Sequence, residues 1–307
     1  MELEFPKPPP ARPASVARLY LQDLARSSAR LLLRHARTHD QVTAEYHSGR
    51  WHQTLEDRAW LRAPDLCAFL VGTNTSVRIA KVDGRIVQIP TNEYYRLRLR
   101  ALTDLIAAQA TDGSEIVELG CGAGYNLLSL AAAGRPGRLA GFDISENAIE
   151  AARATAERFG LADRMRFGLI DLTEAHHPSF RQIAGKTVFT YFAIEQVPRA
   201  VEDVLENILG HRPTRVIHME PTTELLEPWK PLDLLNYIYV KSMDYQTRLF
   251  TAVERLAASG RIRILARRRL PWAPTIHNDG FMVTWEPSSA PALPSVPCRG
   301  SAVSTLG

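Results

Sequence analysis

The stretch Val117-Glu118-Leu119-Gly120-Cys121-Gly122-Ala123-Gly124-Tyr125-Asn126 decides how the rest of the chain is read. Three glycines occupy alternate positions at its centre. A short apolar run precedes them, and a helical pattern follows. Glycine has no Cβ, so such a loop turns sharply and lets a ligand lie against bare backbone. The N–H groups that open the following helix then face that ligand.

Working outward, short apolar runs at 115–120, 138–143, 165–170, 186–192 and 214–219 read as strands. They alternate with helical stretches at 124–134, 146–159 and 199–210. This alternation predicts an α/β fold with a mostly parallel sheet and helices on both faces. The glycine loop falls at the carboxyl end of the first strand of the unit, where open α/β sheets bind ligands. A long helix is expected at about 232–259, then strands at 262–269 and 280–286 that pair antiparallel at the sheet edge. Upstream, Ala14 to about His47 has helical spacing, and VRIAKVDGRIVQI (77–89) flanks Asp83-Gly84, a hairpin signal. A helix follows Pro90, with Thr91 or Asn92 as cap and an end at Asp112-Gly113. The organisation expected is a disordered arm (1–13), a helical and hairpin extension (14–91), a main domain (92–286) and a flexible tail (287–307).

Composition narrows the classes. At 307 residues, 45% hydrophobic and 23% charged, the chain reads as globular, with ample surface to bury. A net charge of +4 is mild, and it permits an anionic ligand or RNA without demanding either. Cys67, Cys121 and Cys298 are odd in number and far apart, which argues against a disulfide framework or a zinc site. The proline-rich start MELEFPKPPPARP lacks the apolar core of a signal peptide, and no run of apolar residues is long enough to span a bilayer. The expectation is a soluble, cytoplasmic protein.

Two ligands fit a glycine loop at this place. The dinucleotide fingerprint G-x-G-x-x-G would put its third glycine at Tyr125, counted from Gly120, or at Leu127, counted from Gly122. Neither is glycine. What stands here is Glu118-x-Gly120-x-Gly122-x-Gly124, and this resembles motif I of the class I S-adenosylmethionine-dependent methyltransferases. The next strands agree: RLAGFDIS ends in Asp143, MRFGLIDLTE in Asp171, and KTVFTYFAIEQVP in Tyr191 and Phe192, then Glu195 and Gln196. The resemblance covers roughly 92–286. It implies a Rossmann-like, doubly wound, seven-stranded sheet, with S-adenosyl-L-methionine as cofactor. It further implies that Asp143 meets the ribose and Asp171 the adenine, and that Glu118, Gly120, Cys121, Gly122, Gly124, Ile144 and Leu172 also bind the cofactor. An aromatic or basic residue ahead of motif I often covers the methionine part in this family, which brings in Tyr95, with Tyr191 on the far wall. Each residue also has a structural reading. Glu118 would organise the loop, Asp171 would cap the next turn, and Cys121 is a small filler rather than a nucleophile.

Methyl transfer is an in-line displacement, so alignment and exclusion of water carry much of it. A hydroxyl or protonated amine must also lose a proton, for which a base helps. The fifth strand, RVIHMEP, sets His218 and Glu220 two apart and hence on one side. His218 and Glu195 are the candidate catalytic residues; Tyr94, Phe192, Gln196 and Glu220 are candidate substrate contacts. Trp229, Tyr237, Tyr239 and Tyr245 are read as a pocket wall or as helix packing, and His277, Asn278 and Asp279 as a border of the site. The chain lacks the Asn/Asp-Pro-Pro-Tyr of exocyclic-amine enzymes, a Pro-Cys nucleophile, the paired glutamates of arginine methyltransferases and visible metal-ligand spacing.

A small metabolite or peptide acceptor is expected, methylated on oxygen or nitrogen, in natural-product tailoring. RNA is the runner-up, through Arg261, Arg263, Arg267, Arg268, Arg269 and the helical row Arg26, Arg30, Arg34, Arg37. A non-catalytic cofactor-binding subunit and a nicotinamide dehydrogenase are the remaining alternatives. The extension is read as a lid or a homodimer contact.

Overall fold

The computed structural model describes residues 8–33, 38–111, 113–197 and 199–288. Calls on 1–7, Arg34, Arg37, Cys298 and the tail beyond Ser288 lie outside these residues.

The arm is ordered where it is described. Gln88 N–H donates to Pro9 O (3.1 Å) and Ala11 N–H to Ile86 O (3.1 Å), so Pro10 lies antiparallel beside Val87. Proline suits such an edge, having no N–H to offer. The single helix expected over 14–47 divides. Helix α1 (Pro13–Leu33) stops, and α2 (His39–Ala44) starts at a new capping box in which Gln41 N–H donates to the Thr38 hydroxyl (3.2 Å) and Thr38 N–H to Gln41 Oε1 (3.0 Å). A π-helical turn (Glu45–Trp51) leads into α3 (His52–Asp57), α4 (Ala59–Arg62) and α5 (Leu66–Val71). Strands β1 (Val77–Val82) and β2 (Arg85–Pro90) form the expected hairpin, with Asp83 at φ 49° and Gly84 at φ 71°, the left-handed pair its turn requires. Helix α6 (Thr91–Gln109) follows, entered at Pro90 without a side-chain cap.

Then comes the alternation: β3 (Ile116–Leu119), α7 (Tyr125–Ala132), β4 (Leu139–Asp143), α8 (Glu146–Arg158), β5 (Met165–Leu169), β6 (Thr187–Tyr191), α9 (Val201–Gly210) and β7 (Arg215–Glu220). The helix expected at 232–259 is two helices, α10 (Pro231–Ser242) and α11 (Leu249–Ala258). Asp244 takes φ 53°, and the buried Gln246 side chain accepts N–H groups from Arg248 (2.9 Å) and Leu249 (3.0 Å), which starts the second helix afresh. The chain ends with β8 (Ile262–Arg269), β9 (Trp272–Ala273) and β10 (Phe281–Pro287).

Among the described residues the main sheet has seven strands in the order β5-β4-β3-β6-β7-β10-β8. β10 runs antiparallel between β7 and β8, so it lies one strand in from the edge. Order reverses between β3 and β6, and that is the crevice where the glycine loop opens. All four residues of β3 and all five of β4 are buried, as expected of parallel strands covered on both faces. One face, with Val117, Val188, Val216 and Trp285, packs on α9 and α11; the other, with Ile116, Leu139, Phe189 and Met282, packs on α6, α7 and α8. A second sheet, β2-β1-β9, ties the N-terminal hairpin to the chain after β8.

Candidate active site

The three glycines of the loop all take positive φ: 73° at Gly120, 52° at Gly122 and 77° at Gly124. Each also faces a side chain that a Cβ would strike. At Gly120 it would lie 2.3 Å from Ala193 Cβ, at Gly122 2.4 Å from the Trp51 ring, and at Gly124 2.9 Å from Phe167. The loop is thus pressed between the β6 exit, the π-helical turn and β5. It is tethered to β4 as well, since Gly120 and Cys121 N–H both donate to Phe142 O (2.7 and 3.0 Å). Gly124 caps α7 and packs on Phe167; it lies behind the loop and does not line the cavity.

Asp143 ends β4 with one oxygen accepting Gly122 N–H (2.7 Å) and the other Ser145 N–H (3.0 Å). A carboxylate oxygen has two lone-pair sites, so acceptor capacity remains towards the cavity that Asp143 lines. Burial raises its pKa above the usual carboxylate range. Asp171 ends the β5 segment and takes both the N–H (2.8 Å) and hydroxyl (2.7 Å) of Thr173, so it shapes that turn while lining the cavity. Glu118 is fully buried behind the loop. Asn126 Nδ2 donates to its Oε1 (2.6 Å), and its Oε2 has no protein partner. Burial pushes its pKa well up, and burial also holds the Cys121 thiol in its unreactive protonated form.

A cavity of about 730 Å³ runs from this loop to the far wall of the crevice. That is generous for a drug-sized ligand. One end is lined by Gly120, Cys121, Gly122, Asp143, Ile144, Asp171 and Leu172. The other is lined by Phe192, Glu195, Gln196, Tyr239, Tyr245 and Asn278. Tyr94, Tyr95, Arg98 and Tyr191 stand between them. The Arg98 guanidinium lies 6.0 Å from the Tyr95 ring and 5.3 Å from the Tyr191 ring. Tyr94 is fully buried, and its hydroxyl has no partner within the protein.

Residues 116–209 match the family model described as a methyltransferase domain. The chain carries a methyltransferase domain over these residues. S-adenosylmethionine is the cofactor of class I methyltransferases, and the residues present suit it: the carboxylates Asp143 and Asp171 line the cavity at the ends of β4 and β5, and the buried Tyr94 hydroxyl on the same cavity lacks a protein partner. Among solved structures, the methyltransferase is similar to geranyl diphosphate C-methyltransferase from Streptomyces coelicolor A3(2), at 13% identity over 76% of this chain and 97% of that one, TM-score 0.49. It is also similar to magnesium protoporphyrin IX methyltransferase from Synechocystis PCC 6803, at 15% identity over 65% of this chain and 87% of that one, TM-score 0.47. No curated protein sequence matches the chain.

The acceptor-side expectations need correction. His218 does not reach the cavity. β7 lies inside the sheet with both faces covered, so His218 is fully buried; its Nδ1 is 3.0 Å from the Thr190 hydroxyl, and its ring lies beside Trp285. Burial lowers its pKa to about 3, so its ring stays neutral around neutral pH. Glu220 is fully buried too. It accepts the N–H groups of Ala193 (3.0 Å) and Glu195 (3.2 Å), which makes it a support for the β6 exit rather than a substrate contact. Trp229 is 76% exposed, and Tyr237 packs into the core, whereas Tyr239 and Tyr245 line the cavity. Four of the five arginines at 261–269 are engaged in pairs: Arg261 with Glu206 (2.5 Å), Arg263 with Glu286 (2.5 Å), Arg267 with Glu254 and Arg269 with Asp233 (2.6 Å).

Among the wall residues that went unread in the sequence are Arg50 and Arg98. Arg98 had a signal: it is one turn beyond Tyr94 and Tyr95 on the same helix. Nothing in the sequence aims Trp51 at Gly122, because the π-helical turn that does so has no periodic pattern to read.

Proposed function

We propose that this methyltransferase moves a methyl group from S-adenosylmethionine to an oxygen or nitrogen of a small metabolite or short peptide, in a tailoring step of biosynthesis. The observation that carries this reading is the single cavity that joins the glycine loop and Asp143 to an aromatic chamber around Glu195. Gly120, Cys121 and Gly122 would hold the cofactor by backbone, Asp143 and Ile144 its ribose, and Asp171 and Leu172 its adenine. Arg98, with Tyr94 and Tyr95, would meet its amino-acid end. When bound, the cofactor supplies an activated methyl on a sulfonium. The chain's own part is to align an acceptor, exclude water with Trp51 and the tyrosines, and take up a proton where the acceptor has one to lose. Glu195 is the base this reading favours, since His218 is sealed in the sheet.

A small acceptor is favoured over RNA because four of the five arginines at 261–269 are already paired with acids. No helix among the described residues is long and apolar enough to cross a membrane. A cytoplasmic setting is part of the proposal, supported by Cys67 and Cys121 being free thiols. Isothermal calorimetry tests the reading. S-adenosylmethionine and S-adenosylhomocysteine should bind in the micromolar range and NAD should not. NAD binding alone would move the assignment to hydride transfer.

A further inference from the structure

Beyond the cofactor end, the cavity has a charge and shape of its own. Two arginines line it, and both sit towards the glycine loop: Arg50 packs over Trp51 (5.0 Å to the ring), which covers Gly122, and the charge of Arg98 acts on Glu118. The far chamber has instead a carboxylate, Glu195, only 4% exposed, within walls of Phe192, Tyr239 and Tyr245. Tyr239 and Tyr245 meet edge to face, with centroids 6.2 Å apart at 82°. Glu195 lies close enough to Tyr239 that, after burial, its charge helps raise that hydroxyl's pKa.

Glu195 is held at its backbone and at its side chain. Its N–H donates to Glu220 (3.2 Å), its C=O accepts Gln246 N–H (3.0 Å), and its Oε1 accepts Gln196 Nε2 (2.7 Å). Three residues earlier the chain takes φ 53° at Phe192, a left-handed conformation that is costly for a bulky residue and that presents its ring to the cavity. A fixed acid among aromatic rings is the surrounding that stabilises a cation, through charge and through the negative faces of the rings. Asn278 adds a buried acceptor oxygen, Oδ1, that has no protein partner.

We propose that the acceptor is an amine that enters as a cation and is held by Glu195 among Phe192, Tyr239 and Tyr245, with Asn278 Oδ1 accepting one of its N–H groups. This rests on the methyltransferase reading above and narrows its acceptor to nitrogen. The chemistry balances with one proton released. The ammonium N–H bond breaks, its proton passes to the Glu195 carboxylate, the freed electron pair forms the C–N bond, and the pair of the broken C–S bond stays on sulfur.

The test uses a charged probe and its neutral isostere, choline and 3,3-dimethylbutan-1-ol, titrated into protein saturated with S-adenosylhomocysteine. Choline is expected to bind at least tenfold more tightly than the alcohol. Glu195→Gln is expected to abolish that preference while S-adenosylhomocysteine affinity stays within twofold, which also reports that the variant is folded. Tyr245→Leu, which removes a ring and no charge, is expected to weaken choline more than the alcohol. Equal binding of the two probes, binding of neither, or a preference that survives Glu195→Gln would overturn the amine assignment and leave the cofactor reading standing. Failure of S-adenosylhomocysteine to bind the wild type would overturn the cofactor reading, and the amine assignment with it.

Discussion

The two ends of the cavity are built by different means. The cofactor end is assembled from strand exits in one continuous stretch, 119–173, and its key contacts are backbone: positive-φ glycines, loop N–H groups on Phe142 O, and Gly122 N–H on Asp143. The acceptor end is gathered from distant places: the β6 exit, α10, the turn before α11, and the loop before β10. It is held by buried side-chain ties. Lys81 on β1 pairs with Asp279 (2.6 Å), and Asn236 on α10 donates to the same carboxylate (2.8 Å), fixing the loop that presents Asn278. His277 lies 3.1 Å from Asp23 on α1. Backbone geometry makes the first end rigid and general; side-chain ties leave the second free to differ in shape.

That contrast can be broken experimentally. The largest effect is expected from Lys81→Met, which takes the nearest cation from the buried Asp279 and leaves it Asn236 and the more distant Arg269 (3.7 Å). Breaking such a pair costs about 3–5 kcal/mol. Chemical denaturation should show that loss, and most of it should return in Lys81→Met with Asp279→Leu. At the cofactor end, Asp143→Ala removes charge-assisted hydrogen bonds of about 1.5–3 kcal/mol each. S-adenosylhomocysteine affinity should fall by about 100-fold in calorimetry, with a smaller change in melting temperature.

Two buried groups give opposite pH signatures. Glu220 has its pKa raised by burial from 4.5 to about 7, so its contribution to stability is full below pH 4.5 and is lost as pH rises through 7. Glu220→Gln should flatten that stretch of the stability curve. His218 has its pKa lowered from 6.5 to about 3, so its contribution is present above pH 6.5 and is lost as pH falls towards 3. His218→Gln should make the acid limb shallower, cost about 1–2 kcal/mol at neutral pH, and leave the pH profile of methyl transfer unmoved. The smallest effect belongs to the surface. Arg267→Ala breaks an exposed pair with Glu254 and should change stability by less than about 1 kcal/mol.

Much of the cofactor end was legible in the sequence because it follows local rules. Alternating apolar runs mark β3 to β7, acids stand where strands end, and glycine marks the positions that need left-handed backbone. What the glycines face was not legible. The expectation was a sharp turn and a close-lying ligand, yet Ala193, Trp51 and Phe167 crowd the places where Cβ atoms would sit. Glu118 and Gly124 read as cofactor contacts but stand behind the loop. At β7 the period of two placed His218 and Glu220 correctly on one side, and could not tell that Thr190 and the 193–195 turn fill that side.

By itself, then, the sequence determined the order of strands and helices, the sheet they build, and the class of cofactor, since these depend on periodicity and on residues near one another in the chain. Only the tertiary structure decided the acceptor chamber. Glu195, Tyr239, Tyr245 and Asn278 meet there from segments up to 83 positions apart, through long-range packing that no local pattern encodes.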